Sequence, residues 1–289
     1  MLSTQYKILY PVDFSKRSTL AVQHVKAWVE HFRATLDTLH VVNNNTSGSL
    51  ADPYDPALCQ EESRVVARRT ADLKYFSDQY FGKDVARSAV LTGDTSDLIE
   101  HFASREQVDL IMLPRKHQRL IARFFYDSLT ATLLERCRSS IWMTEHVDNA
   151  TPSVPSRVLC AVQFGQDATL TAQNDRILQT VRALVSTFRA DVTFLHATGD
   201  ENMNEPSIEL RTKSGSMLWL EQARALFGNS VKFLRTSGRV IAAIRDTAKK
   251  VRADLVVVGR MRPEAVSFGR QSRLLKIDHA LKCPVLSVW

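Results

Sequence analysis

No apolar run in this chain approaches the roughly 20 residues that a helix needs to cross a bilayer. The opening stretch Met1–Lys7 lacks the apolar core of a secretory leader, and the strand pattern behind it is too short to supply one. The expectation is a cytoplasmic protein with no membrane contact. Cysteine is sparse: Cys59, Cys137, Cys160 and Cys283 stand apart and form no CxxC pair. In a reducing compartment they read as small buried hydrophobes. The eight histidines show no HExxH, HxH or Cys/His cluster, which argues against a zinc site. A Walker A loop, a GxSxG elbow and a Ser-Gly-Gly pyrophosphatase loop are all missing. No nucleophile lies beside a candidate base, so catalysis has no positive support and the expectation is a non-enzymatic protein.

What is present is a globular composition, 44% hydrophobic and 24% charged, in 289 residues, a length that suits two domains. Lys and Arg outnumber Asp and Glu by 38 to 31. The net charge of +7 permits an anionic partner without naming one.

The chain repeats itself. Lys7-Ile8-Leu9-Tyr10-Pro11-Val12-Asp13 matches Arg157-Val158-Leu159-Cys160-Ala161-Val162-Gln163 at an offset of 150. Asp37–Val42 matches Val192–Ala197 with His40 on His196, offset 156. Val108–Leu113 matches Ala253–Val258 at 145, and Ser139–Met143 matches Cys283–Ser287 at 144. Four ordered matches with drifting offsets mark two copies of one module that differ in loop length.

Between the apolar strands lie helical stripes. Ala21, Val25, Trp28, Val29 and Phe32 share one face behind a capping Ser15; Val65, Val66, Leu73, Phe76 and Tyr80 form the second stripe. Leu98, Ile99, Phe102 and Ala103 follow Thr95 and Ser96, and Leu129, Leu133, Leu134 and Cys137 follow Asp127 and Ser128. The second half repeats the scheme, with stripes led by Ile177, Met217, Ile241 and Leu274. Continuous apolar strands alternating with helices predict an α/β fold built on doubly wound parallel sheets. The Pro-bearing stretch 148–155 reads as a linker, giving domains 1–147 and 156–289. A polar, Pro/Gly-bearing loop spans 43–56.

The ordered set Ile8–Ser15, Leu39–Val42, Thr92-Gly93-Asp94 and Asp109–Met112, repeated in Leu195–Ala197, Ser237-Gly238, Asp254–Gly259 and Cys283–Leu286, resembles the universal stress protein family over essentially the whole chain. The resemblance implies two tandem five-stranded domains of strand order 3-2-1-4-5. It also implies an ATP site made of an acid after the first strand and a Gly-x2-Gly-x9-Gly-Ser/Thr loop after the fourth, whose backbone N–H groups cradle phosphate. Carried over, the site residues are Asp13, Val41 and Ser128 in the first half, and Gly259, Arg262, Gly269, Arg270 and Ser272 in the second.

Both loops depart from that pattern. The first keeps the spacing as Pro114-x2-His117-x9-Asp127-Ser128 but has lost all three glycines, and Asp127 adds a negative charge. The second keeps Gly259, replaces the next glycine with Arg262, and brings Gly269 early; Gln163 replaces the first-strand acid. The expectation is weak or no ATP binding and no required cofactor, with adenine nucleotide the ligand class to test. Both loops are basic: Arg115, Lys116, Arg119 and Arg123, then Arg260, Arg262, Arg270 and Arg273. They read either as solvated surface or as an anion site built from arginine forks.

His40 and His196 fall at matching strand positions and read as structural. Asp13 reads equally as a ligand group or a helix cap. Trp142 and Trp289 close the last strand of each copy, which in the resembled family pairs across a dimer. They read either as ordinary core aromatics or as residues between the two halves; the resemblance implies an intrachain pseudo-dimer, with a further homodimer and an unidentified protein partner open. Three readings stand: a tandem regulatory stress protein, a nucleotide-processing enzyme on the same type of fold, and a module for nucleic acid or another polyanion.

Overall fold

The computed structural model describes residues 6–43, 56–114, 128–144, 153–163, 168–198, 219–228, 231–260 and 273–289. It forms two compact units, Met1–Ser139 and Ser140–Trp289.

The first unit runs β1 (Lys7–Pro11), α1 (Lys16–Phe32), β2 (Thr35–Val42), α2 (Pro56–Phe81), β3 (Ala86–Thr92), α3 (Thr95–Arg105), β4 (Leu110–Pro114) and α4 (Ser128–Arg136). Its strands are parallel in the order β3-β2-β1-β4. The second unit opens with β5 (Ser140–Thr144). It continues with β6 (Arg157–Val162), α5 (Ala168–Phe188), β7 (Asp191–Thr198), α6 (219–227), β8 (Lys232–Ser237), α7 (Val240–Val251), β9 (Leu255–Gly259), α8 (Arg273–Ala280) and β10 (Val285–Val288). Five of these strands are parallel in the order β8-β7-β6-β9-β10, the predicted 3-2-1-4-5 order. β5 adds to β10 as an antiparallel partner, with Trp142 opposite Leu286.

Continuous apolar runs became strands because both sheet faces are covered. Ile8, Leu9, Leu110 and Ile111 are fully buried, as are Leu159, Cys160, Val256 and Val257. The helical stripes face inward as expected, with Ala21, Val25 and Trp28 on α1 and Ile177, Val181 and Leu184 on α5 all sealed from water. Cys137 and Cys160 are buried, and burial drives the Cys160 thiol well above its ordinary pKa. Cys283 is half-buried, and burial with nearby Asp254 pushes it to about 12. Cys59 departs from expectation: it is exposed, because it lies on α2 ahead of the apolar stripe that begins at Val65.

The α3 cap also differs. The sequence pointed to Thr95 and Ser96, but the N-cap is Asp94, whose Oδ1 accepts from the Ser96 and Asp97 N–H groups at 2.9 and 3.0 Å. Gly93, at φ 144°, turns the chain so that Asp94 faces the open helix end.

Candidate functional site

In a parallel α/β sheet, ligands bind at the carboxyl ends of the strands. In the first unit that edge holds the turn from β1 into α1. Asp13 follows β1, and its Oδ1 accepts from Ser15 N–H at 2.9 Å and Ser18 Oγ–H at 2.5 Å. Ser15 caps α1 in turn, accepting from Ser18 N–H. The Tyr10 hydroxyl donates to the Ser18 carbonyl, so strand, turn and helix start form one hydrogen-bonded unit. Asp13 thus acts as a local clamp on the turn. Phe14 sits between these groups at φ 57°, an unfavourable angle for a side chain of its size. Its ring rests against His40 at 4.7 Å, meets the edge of Phe76 at 6.2 Å, and lies under the Arg69 guanidinium at 5.6 Å. Packing therefore holds the strained turn.

His40 faces this turn from β2, with Nδ1 donating to the Val12 carbonyl at 2.7 Å. His196 repeats the contact with Val162 at 3.2 Å. Each imidazole ties the end of the second strand of its half to the end of the first. Val41, one residue beyond His40, is half-buried and pairs with Leu91 of β3. Ser128 begins α4, its side chain outside the described residues.

The second unit keeps the scaffold but exchanges its chemistry. Gln163 is exposed where Asp13 stood, and its carbonyl accepts from Asn174 Nδ2 at 2.8 Å. Asn174 does for this turn what Ser18 does for the first. Gly259 ends β9 with the Gln173 side chain directly above it. A methyl group added at Gly259 would come within 2.7 Å of Gln173 Cγ and Nε2. The same amide donates to the Val288 carbonyl at 3.0 Å, a buried bond linking α5 to β10. The retained glycine therefore gives room to a glutamine. Arg260, grouped by sequence with the exposed basic loop, is buried instead; its N–H bonds Val288 and its guanidinium lies over the Trp289 ring at 5.1 Å. Arg262, Gly269, Arg270 and Ser272 lie outside the described residues, as do Arg115, Lys116, His117, Arg119, Arg123 and Asp127.

An open depression of about 490 Å³ is lined by Cys59, Glu62, Ser63, Val66 and Ala67 of α2 and Thr92 of β3, and takes in neither Asp13 nor Val41. Among the described residues no group of three His, Cys, Asp or Glu side chains could hold a metal ion, and no helix is long and apolar enough to cross a membrane.

Residues 6–145 match the family model described as Universal stress protein family. This part of the chain belongs to the universal stress protein family. The second half has the same strand order and repeats the same anchors, so the chain is built as a tandem member. A universal stress protein from Archaeoglobus fulgidus superposes along 98% of this chain and 97% of its own, with TM-score 0.72 and 15% identity. A putative universal stress protein from Pseudomonas aeruginosa does so over 99% and 93%, at 0.67 and 15%. A protein of unknown function from the same species covers 99% and 92%, at 0.68 and 15%. At such identity these likenesses establish fold. No curated protein matches the chain.

Sequence reasoning missed Gln173 and Asn174, the residues that rebuild the second universal stress protein scaffold. Their signal lay in the helical alignment. At the offset of 156 that brings His196 onto His40, Asn174 falls on Ser18.

Proposed function

We propose that this chain is a cytoplasmic, non-enzymatic tandem universal stress protein, with domains 1–147 and 156–289, whose regulatory or stress-protective role does not depend on ATP. One observation carries the reading. The glycine position that would let backbone approach phosphate in the second half is filled by Gln173, whose amide is bonded to Val288. In the first half the position equivalent to Gly259 is Pro114, which has no N–H to offer, and the Asp13 carboxylate is engaged by its own turn. Protein or polyanion partners then become the route to function.

The test is a thermal-shift and calorimetric titration with ATP, ADP and AMP, with and without magnesium. A site of Kd about 10 μM would add about 2.7 kcal/mol of stability at about 1 mM nucleotide. That is a Tm rise of several degrees. The expected result is no shift and no heat. Micromolar ATP binding would overturn the proposal.

A further inference from the structure

Alternation of strand and helix brings strand starts and helix ends to one edge of each unit, opposite the edge described above. In the first unit three cations on this edge, Lys7, Arg87 and Arg105, are matched by carboxylates. Arg87 on β3 forks onto buried Asp37 of β2, with Nε to Oδ1 at 2.8 Å and Nη2 to Oδ2 at 3.0 Å, and its Nη2 also reaches Glu106 Oε2 at 2.6 Å. Arg105 Nε donates to Glu106 Oε1 at 3.1 Å, and Lys7 Nζ lies 3.9 Å from Oε2. Two carboxylates serve three cations.

The repeat places the same positions in the second unit, and both carboxylates are gone. Asp37 pairs in register with Arg87 as Thr193 pairs with Lys232. Gln107 and Arg252 are matching left-handed residues, both at φ 53°, each two residues before the anchoring aspartate, Asp109 or Asp254. Glu106 therefore corresponds to Val251 and Arg105 to Lys250. The cations persist as Arg157, Lys232 and Lys250, while Lys249 and Arg252 are added where the first half has Ser104 and Gln107. These five are exposed, as is Arg189 at the end of α5. Asp254 is the one buried carboxylate beside them: its oxygens accept from Ser156 N–H, Ser156 Oγ–H and Arg157 N–H at 2.7–3.0 Å, and it pairs with Arg157 alone, Nη2 lying 3.9 Å away. Asp191 is the one exposed carboxylate among the described strand starts of this unit.

Cations at helix ends are favoured by the helix dipole. The first unit has the same helix ends and matches Lys7, Arg87 and Arg105 with carboxylates, so the dipole alone does not account for the loss of both carboxylates in the second. The formal charge follows the same split. The first unit has 18 basic and 17 acidic residues, the second 20 and 14, so +6 of the net +7 belongs to the second.

The missing chemistry narrows the partner. The exposed large apolar residues among those described are Tyr75, Val85 and Val240, and none lies on this edge. A protein partner would lack an apolar anchor, a bilayer an inserting side chain, and an unpaired base a stacking ring. We propose that the amino edge of the second unit, formed by Arg157, Arg189, Lys232, Lys249, Lys250 and Arg252, docks the sugar–phosphate backbone of duplex nucleic acid. Contact is through phosphate and independent of sequence.

The test is fluorescence anisotropy of the full chain with a labelled 20-base-pair DNA duplex of mixed sequence, in 50 to 300 mM KCl. Four to six phosphate contacts predict that affinity falls roughly 10²–10³-fold between 50 and 200 mM. Arg157→Glu with Lys250→Glu is expected to lose at least tenfold in affinity at 50 mM. Val251→Glu restores the carboxylate of the first unit and is expected to weaken binding with the cations in place. Arg239→Ala, at the exposed start of α7 on the opposite edge, is expected to leave affinity within twofold. Circular dichroism and urea midpoints identify any variant that has lost its fold, and Val251→Glu then decides. No duplex binding at 50 mM overturns the proposal. So does equal binding by the edge variants, or tighter binding of a single strand of the same sequence.

Discussion

At the scale of single residues, the two halves use one set of anchors with different force. Asp109 and Asp254 each precede a central strand and hold the start of the first strand of their half. Asp109 is exposed and makes one such bond, to Lys7 N–H at 2.8 Å. Asp254 is buried and makes three. A buried carboxylate with several donors leaves those donors unsatisfied when removed. Asp254→Ala is therefore expected to cost about 2–4 kcal/mol and Asp109→Ala about 1 kcal/mol or less, read from urea unfolding midpoints. The aspartates were legible in the sequence because they open two matching apolar strands. Their unequal worth was not, since it depends on Ser156, which the repeat does not share. Gly259 was read from its loop pattern as a phosphate position; what fixes it is Gln173, 86 residues earlier on a different element. Gly259→Ala must displace that amide from Val288, and a destabilisation of about 1–3 kcal/mol is expected in the same assay. An alanine tolerated there without loss would mean that Gln173 can move aside.

At the scale of elements, strands and inward helix faces were legible because burial imposes a period on the sequence; helix ends were less so. Asp94, Thr95 and Ser96 are all capping residue types in a row, and only the turn at Gly93 decides among them. Asp94→Ala is expected to cost about 1 kcal/mol, a typical loss for a cap. Hydrogen bonds from Ser96 and Asp97 hold the Asp94 carboxyl below its ordinary range, so the folded state favours the charged form. Its contribution is complete above the ordinary carboxylate pKa and is lost as pH falls through the lowered one. His196 has the same sign in a higher window. Burial lowers its pKa, against the bond to Val162, so the folded state favours the neutral ring. The unfolded chain takes up the proton first. The His196 contribution is therefore present above about pH 6.5 and erodes as pH falls below that. Between pH 7.5 and 5.5 the urea midpoint of the native protein should drop further than that of His196→Asn. An equal drop would place the acid sensitivity elsewhere.

At the scale of the whole molecule, the repeat, the strand order and the family were legible because they rest on ordered apolar segments. The charge difference between the halves was in the sequence too, but it acquires meaning only when register sets Thr193 beside Lys232. The point of division is a matter for measurement. The Pro-bearing stretch 148–155 invites a cut at the linker, whereas the compact units divide between Ser139 and Ser140. The difference is β5, whose Ile141, Trp142 and Met143 are buried and pair with Ser287, Leu286 and Val285 of β10. A fragment of residues 156–289 would lack that partner. It would present β10 as an open edge with Val285 and Leu286 uncovered, and exposed apolar edges pair with other chains. A fragment of residues 140–289 would keep β10 paired. The expected outcome is a higher urea midpoint for 140–289, with stronger self-association of 156–289 in size-exclusion chromatography with light scattering. If both fragments were monomeric with equal urea midpoints, β5 would be dispensable to the second unit, and the linker would be the true boundary.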